Sequence, residues 1–231
     1  MKDRNELVSI FAKGALGAIP FVGPLAAEII GMVIPNKRLQ RIEALLTALE
    51  SKIQLDKQHR VAESLNSENA IDLMEDAFIA ASRALSSERI DYIASMLKNG
   101  LTRDELEHIE YKRLMSLLSE LNDVEVLILK SKLLDRRDDE FESFWKKHQA
   151  VLIPATATFG STREEIDKNT VFQSHKTHLR NLGLIKTTFK KPKRGELPEF
   201  DEKTGMIKAQ GEDITPLGRL LLESIDQAPR R

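Results

Sequence analysis

Two histidines three residues apart, His175 and His178, come nearest in this chain to residues whose type and spacing could hold a metal. On a helix such a pair shares one face, so both imidazoles could reach one ion. No third ligand cluster stands beside them in sequence, and His59, His108 and His148 are scattered. A helix face turned to solvent or phosphate accounts for the pair, so no metal site is expected. Gly14, Gly17 and Gly23 suggest a glycine-rich loop. No Gly-Lys-Ser/Thr follows, however, and no strand precedes, which excludes a P-loop. Glu164 with Asp167, and Asp138 with Asp139, are surface-type carboxylate spacings without ligand company. No serine stands in a nucleophile elbow. Cysteine is absent, which removes thiolate ligands, cysteine nucleophiles and disulfides together. The sequence therefore predicts no catalytic residue, no cofactor and no enzyme.

The candidate binding residues are cations. No acidic residue falls between Lys168 and Gly195, whereas Lys176, Arg180, Lys186, Lys190, Lys191, Lys193 and Arg194 all do. A helix and loop of one charge sign suit a phosphate backbone, because each neutralised phosphate releases a counterion. Simple solvation of the lysines is the plainer alternative. The elements that position these cations follow from local punctuation. Residues 170–182 read as a helix stopped at Gly183, where glycine takes the positive φ of a C′ position at least cost. Residues 184–189 are extended, and a second extended piece lies near 206–210. The loop between them holds Glu196, Glu199, Asp201 and Glu202. Thr215 and Pro216 read as the N-cap and first residue of a closing helix. Leu179, Leu182, Leu184 and Ile185 bring helix end and strand start onto one small core.

Helix, glycine stop, β-ribbon and Thr-capped helix, carried by residues 179–185 and 214–225, resemble the winged-helix superfamily. The resemblance implies a winged helix-turn-helix with a small β-wing, in contact with nucleic acid or with a protein partner. It departs in the long wing loop, acidic in its second half, and in a weakly marked helix around 163–168. The first helix of that domain is expected over 124–134, capped by Asn122-Asp123, with Val124, Leu127, Ile128, Leu133 and Leu134 as its apolar face. A helix holding Phe141, Phe144 and Trp145 follows. Residues 150–159 carry Pro154 and read as loop or edge strand.

Near the N-terminus, Lys13 and Glu28 are the only charges between Leu7 and Ile34. The start of the chain is mixed in charge and lacks a cleavage pattern, so it is not read as a secretory signal. Pro20, Gly23 and Pro24 break the run, whereas a membrane span needs about 20 apolar residues. Two short apolar helices are the expectation, packed closely through Gly14, Gly17, Gly23 and Gly31. Phe11, Leu16, Phe21, Leu25, Ile29 and Ile30 carry the apolar surface of this hairpin. A buried core, membrane entry helped by Lys37, Arg38 and Arg41, and self-association into a homo-oligomer demand the same residue types. All three remain open at this level.

Length and charge set the outer bounds. The 231 residues suffice for one large or two small domains. A formal charge of −1 gives no global pull toward nucleic acid, so any attraction must be local. With 31% charged and 5% aromatic residues, the chain reads as helical and cytoplasmic, peripheral to the inner membrane if the hairpin meets lipid.

Between the ends, helices follow from apolar residues three and four apart. Leu39, Ile42, Leu45, Leu46, Leu49 and Ile53 form one stripe, behind a cap at Asn36. Ile71, Met74, Phe78, Ala81 and Leu85 form the next, and Ile90, Ile93 and Leu97 a third that ends at Asn99-Gly100. Thr102 with Glu105 reads as a capping box for a helix burying Leu106, Ile109, Leu114, Leu117, Leu118 and Leu121. The predicted fold is mainly α: an N-terminal helical bundle with the apolar Gly/Pro-rich hairpin over 1–101, then a winged-helix domain over 102–231.

The whole layout resembles the Abi-alpha type of bacterial abortive-infection protein. The apolar Gly/Pro-rich start, Asn36-Lys37-Arg38 and Thr215-Pro216-Leu217-Gly218 carry that resemblance. It implies a phage-defence role with neither cofactor nor catalysis. The expected function is non-enzymatic binding, with the winged helix contacting nucleic acid or protein and the helical domain relaying or oligomerising. The alternative is a membrane-disrupting effector whose hairpin, residues 7–34, inserts into the inner membrane.

Overall fold

The computed structural model describes residues 36–53, 61, 67–102, 105–135, 137–153, 158, 160–192, 197–202 and 205–229. The expected apolar hairpin, with Phe11, Leu16, Phe21, Leu25, Ile29 and Ile30, and the cations Lys193 and Arg194 lie outside them. The described chain is mainly helical with one small two-stranded antiparallel sheet. It divides into two compact units, one up to Glu120 with Ser224–Asp226, the other Leu121–Glu223 with the residues that follow Asp226.

The first unit is built from α1 (Asn36–Lys52), α2 (Glu68–Arg83), α3 (Ser87–Leu101) and α4 (Glu105–Glu120). Helices α2 and α3 each pack against the other three except that α1 and α4 do not pair strongly, so α2 and α3 form its centre. The α1 stripe from Leu39 to Ile53 is buried throughout, as its spacing requires. Ser67 and Ser86 cap α2 and α3, each hydroxyl accepting an N–H three residues on.

Two local expectations are corrected here, and the expected Thr102–Glu105 capping box lies outside the described side chains. Leu85 is 91% exposed, because α2 ends at Arg83 and the chain turns extended at Ala84. Gly100 lies inside α3 rather than ending it. A Cβ there would come within 2.6 Å of Leu73 Cδ2 and 3.1 Å of the Tyr111 ring, so glycine is kept for close approach of α2 and α4. Thr102 closes α3: its hydroxyl donates backward to the carbonyls of Lys98 at 3.0 Å and Asn99 at 3.2 Å.

The second unit contains α5 (Asp123–Leu133), α6 (Asp139–Leu152), α7 (Arg163–Asn181), β1 (Ile185–Phe189), β2 (Ala209–Ile214) and α8 (Pro216–Ser224). Helix α5 packs against α6, α7 and β2, and supplies buried Val126, Ile128 and Leu129 to a core with Phe144, Leu179, Leu184 and Ile185. Helix α6 runs on to Leu152, past the start of the expected loop at Ala150. The segment 163–168 is not a separate, weakly marked helix. Thr162 and Glu165 form a capping box, and no glycine or proline interrupts the run to Asn181, so α7 is one helix.

Helix α7 ends in a Schellman motif. Gly183, at φ 71°, donates to the Arg180 carbonyl at 2.9 Å, and Leu184 donates to that of Leu179 at 3.0 Å. The chain passes directly into β1, which pairs antiparallel with β2 from Ile185↔Ile214 to Phe189↔Ala209, with a bulge between Thr188 and Phe189. The second strand begins at Ala209, three residues later than the expected 206. Residues 206–208 instead turn back on 199–201 through the bridge Phe200↔Ile207. Thr215 fastens the closing corner. Its hydroxyl accepts the Gly218 N–H at 3.1 Å and lies 2.7 Å from the Gly183 carbonyl, to which it donates. Among the described residues no helix is long and apolar enough to cross a membrane.

Candidate nucleic-acid interface

The last turns of α7 and the ribbon carry the predicted cations, and two acidic side chains that the sequence reading did not single out hold this part of α7, Glu125 through the histidine pair and Glu212 through Lys176 and Arg180. The first is Glu125, third residue of α5. Its Oε2 accepts the Asn122 N–H at 2.9 Å while Asn122 Oδ1 accepts the Glu125 N–H at 3.0 Å, a complete capping box. The carboxylate is thereby fixed, with only 3% exposure. Its Oε1 lies 2.9 Å from His178 Nδ1 and 3.1 Å from His175 Nδ1. A carboxylate oxygen only accepts, so each Nδ1 carries the proton when it donates there. His175 Nδ1 also lies 3.2 Å from Asn122 Nδ2. The i, i+3 histidine pair thus has a third member after all. It clamps α7 to the first turn of α5. Among the described residues no group of three or more His, Cys, Asp or Glu is arranged to hold a metal ion.

The second is Glu212 on β2, opposite Thr187. Lys176 Nζ reaches it at 2.8 Å, Lys132 Nζ at 3.6 Å, and the Arg180 guanidinium donates to its other oxygen. Burial on its own would raise this carboxyl. The Lys176 hydrogen bond and the charges of Lys176, Lys132 and Arg180 outweigh that, and its pKa lies below the ordinary glutamate value. Lys132 projects from α5 and had no place in the sequence reading. These groups, with Thr187 and residues 209–211, line an open cavity of about 330 Å³.

The remaining predicted cations are spread along the ribbon. Lys186 sits on β1 opposite Asp213 and is exposed. Lys190 pairs with Glu199 at 3.2 Å, which Lys208 also approaches at 3.9 Å. Lys191 is exposed. The described cations therefore fall into two groups: Lys176 and Arg180 gathered at Glu212, and Lys186 on β1 with Lys190 and Lys191 just past its end. Apolar side chains accompany the second group, with Phe189, Phe200 and Met206 all at least half exposed. Compared with known proteins, the chain matches no family model, no curated protein and no solved structure.

Proposed function

We propose that this chain is a non-enzymatic binding protein whose second unit is a winged-helix module that grips the phosphate backbone of nucleic acid. The carrying observation is that one helix ends at Gly183 and feeds, with no linker, into an antiparallel ribbon, so that Lys176, Arg180, Lys186, Lys190 and Lys191 lie on one continuous stretch of structure. Helix α7 with its Gly183 stop, the ribbon β1–β2 and the Thr215-capped α8 support this reading. The first unit is read as a helical bundle that relays or oligomerises. The resemblance of the sequence layout to Abi-alpha proteins supports reading the binding act as part of a bacterial defence or regulatory system. Insertion of residues 7–34 into the inner membrane is the alternative function, and it rests on the apolar sequence alone.

Contacts of this kind position rather than specify, so affinity is expected to be largely indifferent to base sequence and steep in salt. The test is fluorescence anisotropy of the full chain with a labelled duplex. Reversal of Lys190 and Lys191 to Glu is expected to weaken binding equally across sequences and to flatten its salt dependence. No binding at low salt, or binding unchanged by the reversal, makes the module a protein-binding one.

A further inference from the structure

We infer that the cavity bounded by Lys132, Lys176, Arg180 and Glu212 is a binding site for a phosphate oxyanion. The three cations face one carboxylate, which leaves a surplus of two positive charges in one recess. The neighbouring acid, Asp213, does not correct this imbalance, because it lies one residue along β2 on the opposite face, paired across the ribbon with Lys186. Donor capacity is in excess as well. Two lysines and an arginine offer roughly eleven N–H donors against about four lone-pair sites on a carboxylate. One of those donors, on Arg180 Nη2, is used by Thr177 Oγ1 at 2.9 Å. Lys132 stands off from Glu212 at 3.6 Å, beyond good hydrogen-bond length for an ammonium and a carboxylate.

The cations are also held in place, as a site requires. Lys132, Lys176 and Arg180 keep 28%, 22% and 35% of their side chains exposed, so they lie against the protein and do not wave in solvent. They come from two helices, α5 and α7, while Glu212 on β2 gathers them to one point. Thr187 adds a hydroxyl to the lining, and Gly211 adds backbone without a side chain to fill the space. Glu212 acts as the organiser of the recess and also, by its own charge, as a brake on anion affinity. The shared ligand chemistry is a phosphate, from either a backbone phosphodiester or a free or terminal phosphate. In the phosphodiester form the inference rests on the nucleic-acid reading above; as a phosphate site it stands apart from it.

The test titrates the ¹⁵N-labelled full chain with inorganic phosphate at constant ionic strength, and separately with a duplex lacking terminal phosphates. Phosphate is expected to shift the amides of Thr187 and Gly211 saturably. Lys132→Gln is expected to weaken that binding by about tenfold or more, since one charge-assisted bond is lost. Glu212→Gln is expected to tighten it, and Lys132→Gln, at a partly exposed position, keeps the test alive if Glu212→Gln fails to fold. Shifts with phosphate but none with duplex sustain the cavity and identify a free or terminal phosphate as its source. Duplex binding lost with Lys132→Gln assigns the source as the backbone. Duplex binding that ignores Lys132→Gln, together with silence toward phosphate, overturns the cavity while leaving the nucleic-acid reading intact. Silence toward both probes overturns both.

Discussion

Replacing Glu125 with Gln removes one negative charge from a position that is 3% exposed and touches three donors. A glutamine keeps the shape but has one accepting oxygen in place of two. If that oxygen serves the histidines, the amide NH₂ faces the Asn122 N–H, donor against donor. If it serves Asn122, the NH₂ faces two imidazole N–H groups. Either way a donor is stranded, at a cost of about 1–3 kcal/mol. The side chains of His175 and His178 are 21% and 38% exposed, so water recovers part of the loss there. A destabilisation of about 2 kcal/mol is the expected result for Glu125→Gln. Glu125→Ala, which loses all three bonds, is expected to cost more, about 2–4 kcal/mol. Because the chain has two units, a single melting curve need not be two-state. Hydrogen exchange resolved by peptide is the better assay. Amides of α5 and α7 are expected to exchange up to roughly 30-fold faster in Glu125→Gln, the factor that about 2 kcal/mol represents, while α1–α4 stay unchanged. Equal protection in α5 and α7 would refute the clamp.

Other substitutions separate the causes proposed for particular glycines. At Gly218 an added Cβ runs into the Leu184 carbonyl oxygen and lies 2.9 Å from Ile214 Cγ1. Gly218→Ala should therefore destabilise the second unit by about 1–3 kcal/mol in urea unfolding, although alanine is the better helix former by about 1 kcal/mol. At Gly183 nothing lies within 4 Å of such a Cβ and only the φ of 71° opposes it, so Gly183→Ala should cost about 1–2 kcal/mol. Gly100→Ala should loosen the first unit alone, by about 1–2 kcal/mol, because the Tyr111 ring must give way with Leu73. The depressed pKa of Glu212 means that its ion pairs stabilise fully above the ordinary glutamate value of 4.5 and fade as pH falls through the lower folded value. Acid unfolding curves of the wild type and Glu212→Gln should therefore differ at neutral pH and converge as pH falls below the lowered folded value; a constant difference would contradict this.

Sequence was a good guide wherever one residue type has one local use. The α1 stripe, the Thr215-Pro216 start of α8 and the Gly183 stop were legible because periodicity, caps and positive φ are local constraints. Legibility failed where the reason is a neighbour distant in sequence. Gly100 resembles a helix stop, yet its cause is the Tyr111 ring. Leu85 fits the α2 period but falls beyond the helix end. The histidine pair was visible, whereas its partner Glu125 was not; Asn122-x-x-Glu125 is the available signal, and it marks a cap without revealing burial. Lys132 and Glu212 lie 80 positions apart as numbered and meet only because α5 packs against β2. Strand β2 begins late because residues 206–208 find a nearer partner in 199–201.

The most direct test of the account is the salt dependence of duplex binding by the full chain, followed by anisotropy from about 25 to 200 mM salt, a range over which backbone contacts lose most of their affinity. If Lys176, Arg180 and the ribbon lysines meet phosphates, log affinity should fall linearly with log salt. The slope should be about −0.9 for each contact, near −4.5 when all five cations are engaged, and should shrink by about one with each cation removed. A duplex affinity that is flat in salt, or none at the lowest salt, would contradict the claim that this unit grips a phosphate backbone.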